Sequence, residues 1–154
     1  MDLKPGSKAP AFKLATDGGG SISLAALKGR PFVLYFYPKD NTAGCTREAI
    51  DFSTNRKKFE ALGIEIIGVS KDSVTSHDNF KAKHKLKVTL GSDPEIKMAE
   101  AYGVWGEKTL YGRKYMGMER ATFLIDKMGK IDHMWRKVKV PGHVEAVLTA
   151  AKSL

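Results

Sequence analysis

Cys45 is the residue of this chain best suited to covalent chemistry, and it is the only cysteine among 154 residues. It lies in residues 37–48, YPKDNTAGCTRE, a polar stretch that contains a glycine. A lone cysteine usually packs as a small apolar side chain, but packing rarely needs a thiol in a polar turn between a strand and a helix. The context therefore predicts a reactive thiol rather than a packing residue.

The position predicted for Cys45, in the first turn of a helix, favours its thiolate form. The first backbone N–H groups of a helix lack helical partners, and the helix dipole adds partial positive charge at that end. Thiols placed there ionise more readily than a free cysteine, and the thiolate is the nucleophile. Gly44 allows backbone amides to approach closely, and Thr42 offers a hydroxyl three residues before the sulfur. These residues predict a site of nucleophilic catalysis.

The strands that would hold this segment are predicted from short runs of β-branched and aromatic residues. The run at 31–37 is almost entirely apolar, as expected for a central strand that is covered on both faces. Further strands are predicted over 64–70, 121–126 and 131–135, with a hairpin turn at 127–130. The hairpin implies antiparallel members on one side of the sheet.

Helices are predicted between these strands from apolar spacing, caps and stops. They are expected over 42–62, from a cap at Asp72 or Ser73 toward His84, over 95–102 and over 143–152. The alternation predicts an α/β fold with a mixed central sheet flanked by helices, compatible with a thioredoxin-like fold. No repeat or linker divides the chain, so we expect one domain over residues 1–154.

Composition and charge exclude some classes of protein without identifying a function. No apolar run reaches the roughly 20 residues that a bilayer span needs. The formal net charge is +9, but the lysines are dispersed, which predicts solvated helix faces rather than a specific nucleic-acid site. With one cysteine and no secretory signal at the start, a cytoplasmic location is expected. The four histidines lack metal-ligand spacing, so neither a metal nor a cofactor is expected.

Three of these residues form a pattern that resembles a known family. Pro38, Thr42 and Cys45 match the P-x-x-x-T-x-x-C pattern of the peroxiredoxin active site. The segment around them is similar to the peroxiredoxin Q subfamily, also called bacterioferritin comigratory protein. Segments 8–12, 103–108 and 119–126 resemble that subfamily in the same order, so the resemblance covers most of the chain.

The resemblance implies a thioredoxin-like peroxiredoxin fold and a thiol-dependent peroxidase that reduces hydrogen peroxide and organic hydroperoxides. Cys45 would be the peroxidatic nucleophile, which attacks a peroxide oxygen and becomes a sulfenic acid. Arg120 would hold the thiolate and polarise the O–O bond. Thr42 would hydrogen-bond both the peroxide and the sulfur, and Pro38 would shield the pocket from water. Gly44, Thr42 and Arg120 are the expected substrate contacts.

Each of these roles has a structural alternative at the level of sequence. Arg120 could be a solvated strand residue, Thr42 could cap the helix, and Pro38 could merely end a strand. Glu48, one turn after Cys45, either orients Arg120 or lies on the surface.

The chain departs from the subfamily at position 50, where many members carry a second cysteine and this chain has Ile50. Residues five apart in a helix have Cα atoms about 8 to 9 Å apart, beyond the reach of a disulfide. Two-cysteine relatives must therefore unwind this helix, whereas Ile50 is expected to anchor it. Because there is no second cysteine, reduction requires an external thiol (thioredoxin, glutaredoxin or glutathione) or Cys45 of another copy. The resemblance suggests a monomer or weak homodimer.

Other readings of the cysteine fit less well. A cysteine phosphatase would have an arginine near position 51, which is Asp51, and a thioredoxin-type oxidoreductase would have Cys-x-x-Cys. No histidine has a recognisable cysteine-protease signature. The alternative from another class is a non-catalytic thioredoxin-like binding module or holdase.

Overall fold

A computed structural model describes residues 2–154, and its centre is a sheet of seven strands in the order β2-β1-β5-β4-β3-β8-β9. Strands β3, β4 and β5 run parallel, β8 pairs antiparallel with β3, and β9 pairs antiparallel with β8. The predicted mixed sheet and its terminal hairpin are therefore confirmed. The strands are β1 Lys13–Thr16, β2 Ser21–Ser23, β3 Phe32–Phe36, β4 Glu65–Ser70, β5 Thr89–Ser92, β6 Trp105–Leu110, β7 Arg113–Met118, β8 Ala121–Ile125 and β9 Ile131–Trp135.

The central strand β3 is buried along its whole length because both faces of the sheet are covered. Alternate side chains enter two separate cores, since successive residues of a strand point to opposite faces. Val33 and Tyr35 join one core, and Leu34 and Phe36 join the other. This explains the unbroken apolar run in the sequence.

Five helices cover the sheet, and none in the described residues 2–154 is long and apolar enough to cross a membrane. Helices α1, α2, α3 and α5 contribute to the core that holds Val33 and Tyr35. Helix α4 and the base of the β6–β7 ribbon pack on the opposite face. The helices are α1 Ala43–Thr54, α2 Arg56–Ala61, α3 Val74–His84, α4 Lys97–Ala101 and α5 His143–Ala151.

Two helices differ from the prediction. The helix predicted over 42–62 is divided at Asn55, whose backbone N–H and side-chain amide both donate to the Asp51 carbonyl, which halts regular helical pairing. Helix α4 is shorter than predicted because Ile96 has a left-handed backbone, with φ of 55°. The Asp93 carboxylate instead accepts the first free amides of α4.

The pairing of β3 with β8 positions the site. Phe36, the last residue of β3, is directly opposite Ala121, the first residue of β8. Arg120 therefore lies beside the loop that leaves β3 and leads into α1. This register joins residues that are 75 positions apart in the sequence.

Candidate active site

Cys45 lies in the first turn of α1, at the end of the sheet where β3 leads into the helix. The amide of Thr46 donates to the Thr42 carbonyl at 2.9 Å, which is the first regular bond of α1. The amides before it, from Ala43 to Cys45, thus precede the helical ladder and leave positive partial charge near the sulfur. The Cys45 side chain is only 1% exposed, so the thiol sits in a largely dry pocket.

The guanidinium of Arg120 lies between the thiol and a carboxylate. Its Nη2 is 3.4 Å from Cys45 Sγ, and its Nη1 donates to Glu48 Oε1 at 2.8 Å. The Arg120 side chain is 17% exposed, and these two contacts do not fit a solvated strand arginine. The geometry thus brings together the cation and the sulfur that the sequence pattern paired.

Glu48 is fully buried on α1, one turn beyond the thiol, and not on the surface. Desolvation by burial raises its pKa to about 7, while the facing charge and hydrogen bond of Arg120 act in the opposite direction. Its second oxygen, Oε2, has no hydrogen-bond partner among the atoms of residues 2–154. Glu48 thus contacts Arg120 through Oε1, while Oε2 has no hydrogen-bond partner among residues 2–154.

Gly44 makes space for the guanidinium. A Cβ atom at this position would lie 3.0 Å from Arg120 Nη2 and 3.7 Å from its Cζ. The glycine therefore serves the close approach of a side chain, in addition to the approach of backbone amides that the sequence suggested.

Thr42 immediately precedes α1 and is exposed, and its hydroxyl donates to the Lys39 carbonyl at 2.8 Å. A hydroxyl has one proton, so this bond prevents Thr42 from donating to the sulfur, contrary to expectation. It also makes no side-chain cap to α1. The lone pairs of Oγ1 remain free to accept a hydrogen bond from a peroxide O–H. Pro38 lies half-buried in the same loop, residues 37–42.

Behind the loop 37–42 lies a buried polar network that the sequence reasoning missed. The Tyr37 hydroxyl donates to Asp40 Oδ1 at 2.6 Å, and His77 Nδ1 lies 2.7 Å from Asp40 Oδ2. The signal was present in the spacing: His77 precedes Phe80 by three residues, so an inward Phe80 places His77 on the same face of α3.

His143, at the start of α5, was also not assigned a role. Its Nε2 lies 2.8 Å from Thr122 Oγ1, and its ring packs edge-on against Phe52 and Trp135. Burial lowers its pKa to about 4, and the charge of Arg120 adds to this effect. A neutral ring here leaves Arg120 without a second cation close to the thiol.

Ile50 does not anchor α1 as expected. Its side chain is 38% exposed, whereas Cys45, Ala49 and Phe52 form the inward face of the helix. The anchoring comes from Phe52, whose ring stacks on Tyr35 with centroids 4.6 Å apart.

Comparisons with known proteins agree with this arrangement. Residues 5–134 match the AhpC/TSA family. Over its full length the chain is 49% identical to Peroxiredoxin Bcp of Bacillus subtilis, of which 98% is covered. It resembles the structure of the Bacterioferritin Comigratory Protein of Xanthomonas campestris, studied for alkyl peroxide reduction activity, with TM-score 0.88, 45% identity, and 92% and 90% of the two chains covered. It also resembles a cysteine-to-serine mutant of PrxQ from Xylella fastidiosa, with TM-score 0.93, 38% identity, and 99% and 98% covered.

Proposed function

Because the chain belongs to the AhpC/TSA family and is a thiol-dependent peroxidase, we propose that Cys45 is its peroxidatic nucleophile. The recognition of the peroxiredoxin Q subfamily and of its thioredoxin-like fold is confirmed by these relatives. They give no support to the alternative of a non-catalytic binding module. The roles of individual side chains are proposals that rest on geometry.

The observation that carries the proposal is the 3.4 Å contact of Arg120 Nη2 with Cys45 Sγ at the start of a helix. The thiolate attacks one peroxide oxygen, so that an S–O bond forms while the O–O bond breaks. The departing oxygen takes a proton and leaves as water or an alcohol, and Cys45 becomes a sulfenic acid. Arg120 stabilises the negative charge that moves from sulfur to the leaving oxygen.

Four neighbours complete the proposed site. Thr42 Oγ1 accepts a hydrogen bond from the peroxide O–H through a free lone pair and aligns the oxygen for attack. Pro38 shields the sulfur from water, and Gly44 admits the guanidinium. Glu48 positions Arg120 without touching the peroxide.

The second half of the cycle requires a thiol from outside the chain, since residue 45 is the only cysteine. An external thiolate attacks the sulfenic sulfur, water leaves, and a mixed disulfide forms. A second thiol then releases Cys45. We propose thioredoxin, glutaredoxin or glutathione as this reductant, a monomer or weak homodimer as the working unit, and a single domain over residues 1–154 in the cytoplasm. The Xanthomonas relative supports organic hydroperoxides as substrates beside hydrogen peroxide.

Peroxide consumption with a thiol reductant tests the assignment. The Cys45→Ser variant should lose it entirely, while Ser53→Ala, on the same helix, should keep it. Mass spectrometry of peroxide-treated protein should show the gain of one oxygen on Cys45, reversed by the physiological reductant among the three candidates. Unchanged activity in Cys45→Ser, or no mass change at Cys45, would overturn the proposal.

A further inference from the structure

His77 is a fully buried histidine of α3 whose two ring nitrogens both face hydrogen-bond acceptors. Nε2 lies 2.9 Å from the Gly91 carbonyl oxygen in β5. A carbonyl oxygen can only accept, so Nε2 carries a hydrogen. The other nitrogen, Nδ1, lies 2.7 Å from Asp40 Oδ2.

Asp40 is an acceptor at both of its oxygens. Oδ1 accepts from the Tyr37 hydroxyl at 2.6 Å, and Oδ2 accepts from the Ser76 hydroxyl at 2.8 Å. Burial alone would raise the pKa of Asp40, but hydrogen bonds from His77 and Tyr37 outweigh it and lower the pKa. A carboxylate only accepts, so Nδ1 of His77 faces Asp40 as a donor, and the ring is held by a hydrogen bond at each nitrogen.

This buried hydrogen-bonded pair, His77 and Asp40, fixes the loop 37–42 from behind. Asp40 lies between Pro38 and Thr42 in the chain, and its own backbone N–H donates to Asp72 Oδ2 at 2.8 Å. Through His77 the loop is tied to α3, which bears the histidine, and to β5, which accepts from Nε2. The loop is therefore held from outside by α3, by β5 and by Asp72 in the connection between β4 and α3.

We propose that His77 is a positioning residue for the peroxide step, holding the loop 37–42 so that Pro38 and Thr42 stand correctly relative to Cys45. The inference rests on the proposed function, because it assigns a task to the same site. A displacement of roughly 1 Å in a reacting geometry can cost about 100-fold in rate. Removing His77 also leaves the buried Asp40 carboxylate without one of its donors, so the loop would move to solvate it.

The test compares His77→Asn with the wild type at a temperature where both are folded. The second-order rate constant for hydrogen peroxide should fall about 10- to 100-fold. Alkylation of Cys45 by iodoacetamide, which needs neither Pro38 nor Thr42, should be unchanged, as should reduction of the sulfenic acid by a small dithiol. A role in packing alone would leave the peroxide rate constant unchanged or move both reactions of the thiol together.

His84→Asn is the matched control, because His84 lies on the same helix but packs against Phe80 and makes no contact with the loop. It should keep the wild-type peroxide rate constant. If His77→Asn does not fold, Tyr37→Phe removes one hydrogen bond to Asp40 and should slow the peroxide step about three- to tenfold. A wild-type rate in the folded variant overturns the inference, whereas an inactive wild type would overturn the proposed function instead.

Discussion

Two buried carboxylates, each with a nitrogen-bearing partner, flank the loop 37–42, and the two pairs are built on opposite principles. The thiol pair joins Arg120 to Glu48 beside the sulfur, and the loop pair joins His77 to Asp40 behind the loop. In the thiol pair the carboxylate has one oxygen without a partner, and burial raises its pKa to about 7. In the loop pair hydrogen bonds satisfy both carboxylate oxygens and lower the pKa of Asp40 despite its burial.

The difference separates a pair beside the reacting sulfur from a pair that supports the loop 37–42. A fully satisfied buried network is rigid and specifies one arrangement. The thiol pair is left incomplete, and its guanidinium divides its donors between Glu48 and Cys45 instead of forming a two-pronged contact with the carboxylate. In the proposed mechanism, this leaves Arg120 free to stabilise the negative charge as it moves from the sulfur to the leaving oxygen. A variant that removes this shared cation should therefore show the largest effect on the peroxide rate constant.

The largest effect is expected from removing that cation. Arg120→Met should reduce the peroxide rate constant about 10²- to 10³-fold, since loss of a charge-stabilising donor in a dry site costs this much. Stopped-flow measurement of peroxide reduction checks the prediction. Arg136→Met is the matched control, because Arg136 pairs with Glu119 at the surface and should leave the rate unchanged. If Arg120→Met reduced peroxide as fast as the control, the proposed difference between the two pairs would be contradicted.

The pH dependence of stability should differ between the two carboxylates. Folding raises the pKa of Glu48 from 4.5 to about 7, so the folded state holds its proton while the unfolded state has lost it. Between these values stability falls as pH rises, by about 3 kcal/mol, from the relation of roughly 1.4 kcal/mol per pKa unit. Asp40 has a lowered pKa, so its contribution is present above the ordinary aspartate range and disappears only as pH falls through its folded pKa.

Urea unfolding of wild type and Glu48→Gln at about pH 5 and about pH 8 measures the first effect. From about pH 5 to about pH 8, the free energy of unfolding of the wild type should fall by about 3 kcal/mol relative to that of Glu48→Gln. A constant difference for Glu48→Gln would mean that the buried carboxylate is satisfied after all.

A smaller effect, and an opposite one on stability, is expected at Gly44. Its new Cβ in Gly44→Ala would lie 3.0 Å from Arg120 Nη2, so the guanidinium must shift by a few tenths of an ångström. We expect the peroxide rate to fall about tenfold, while the helix gains about 0.5 to 1 kcal/mol, because alanine replaces glycine. Gly106→Ala, where a Cβ would meet nothing within 4 Å, is the control. Loss of stability together with activity would indicate a folding role instead.

The sequence predicts the thiol pair better than the loop pair, for a physical reason. Cys45 and Arg120 belong to motifs with recognisable neighbours, although their contact depends on the long-range register of Phe36 with Ala121. The spacing of His77 and Phe80 indicates only that His77 faces inward; its link to Asp40 becomes visible when helix and loop are placed in space. His77 and Asp40 lie 37 residues apart in the sequence.

Local errors have local causes. Asn55 divides the predicted helix because its side chain competes for a backbone carbonyl. The expectation that Ile50 anchors α1 was wrong for a reason readable from the helical period. A residue five positions after Cys45 turns about 140° away from it, and Ile50 is accordingly exposed.

The last prediction is that amide hydrogen exchange in α1 does not change. Oxidation of Cys45 with stoichiometric peroxide should leave amide hydrogen exchange in α1 unchanged, because no second cysteine requires the helix to unwind. The inward face of α1, with Phe52 stacked on Tyr35, remains packed whichever oxidation state the sulfur has.

Ile50→Cys supplies the matched contrast on the same helix. Its Cα would lie about 8 to 9 Å from that of Cys45, so a disulfide between them can form only if the first turns of α1 open. Exchange in α1 should therefore accelerate in oxidised Ile50→Cys and not in the oxidised wild type. If the wild-type helix melts on oxidation, the loop 37–42 is not held as firmly as the satisfied network behind it requires, and the contrast between a reacting pair and a supporting pair fails.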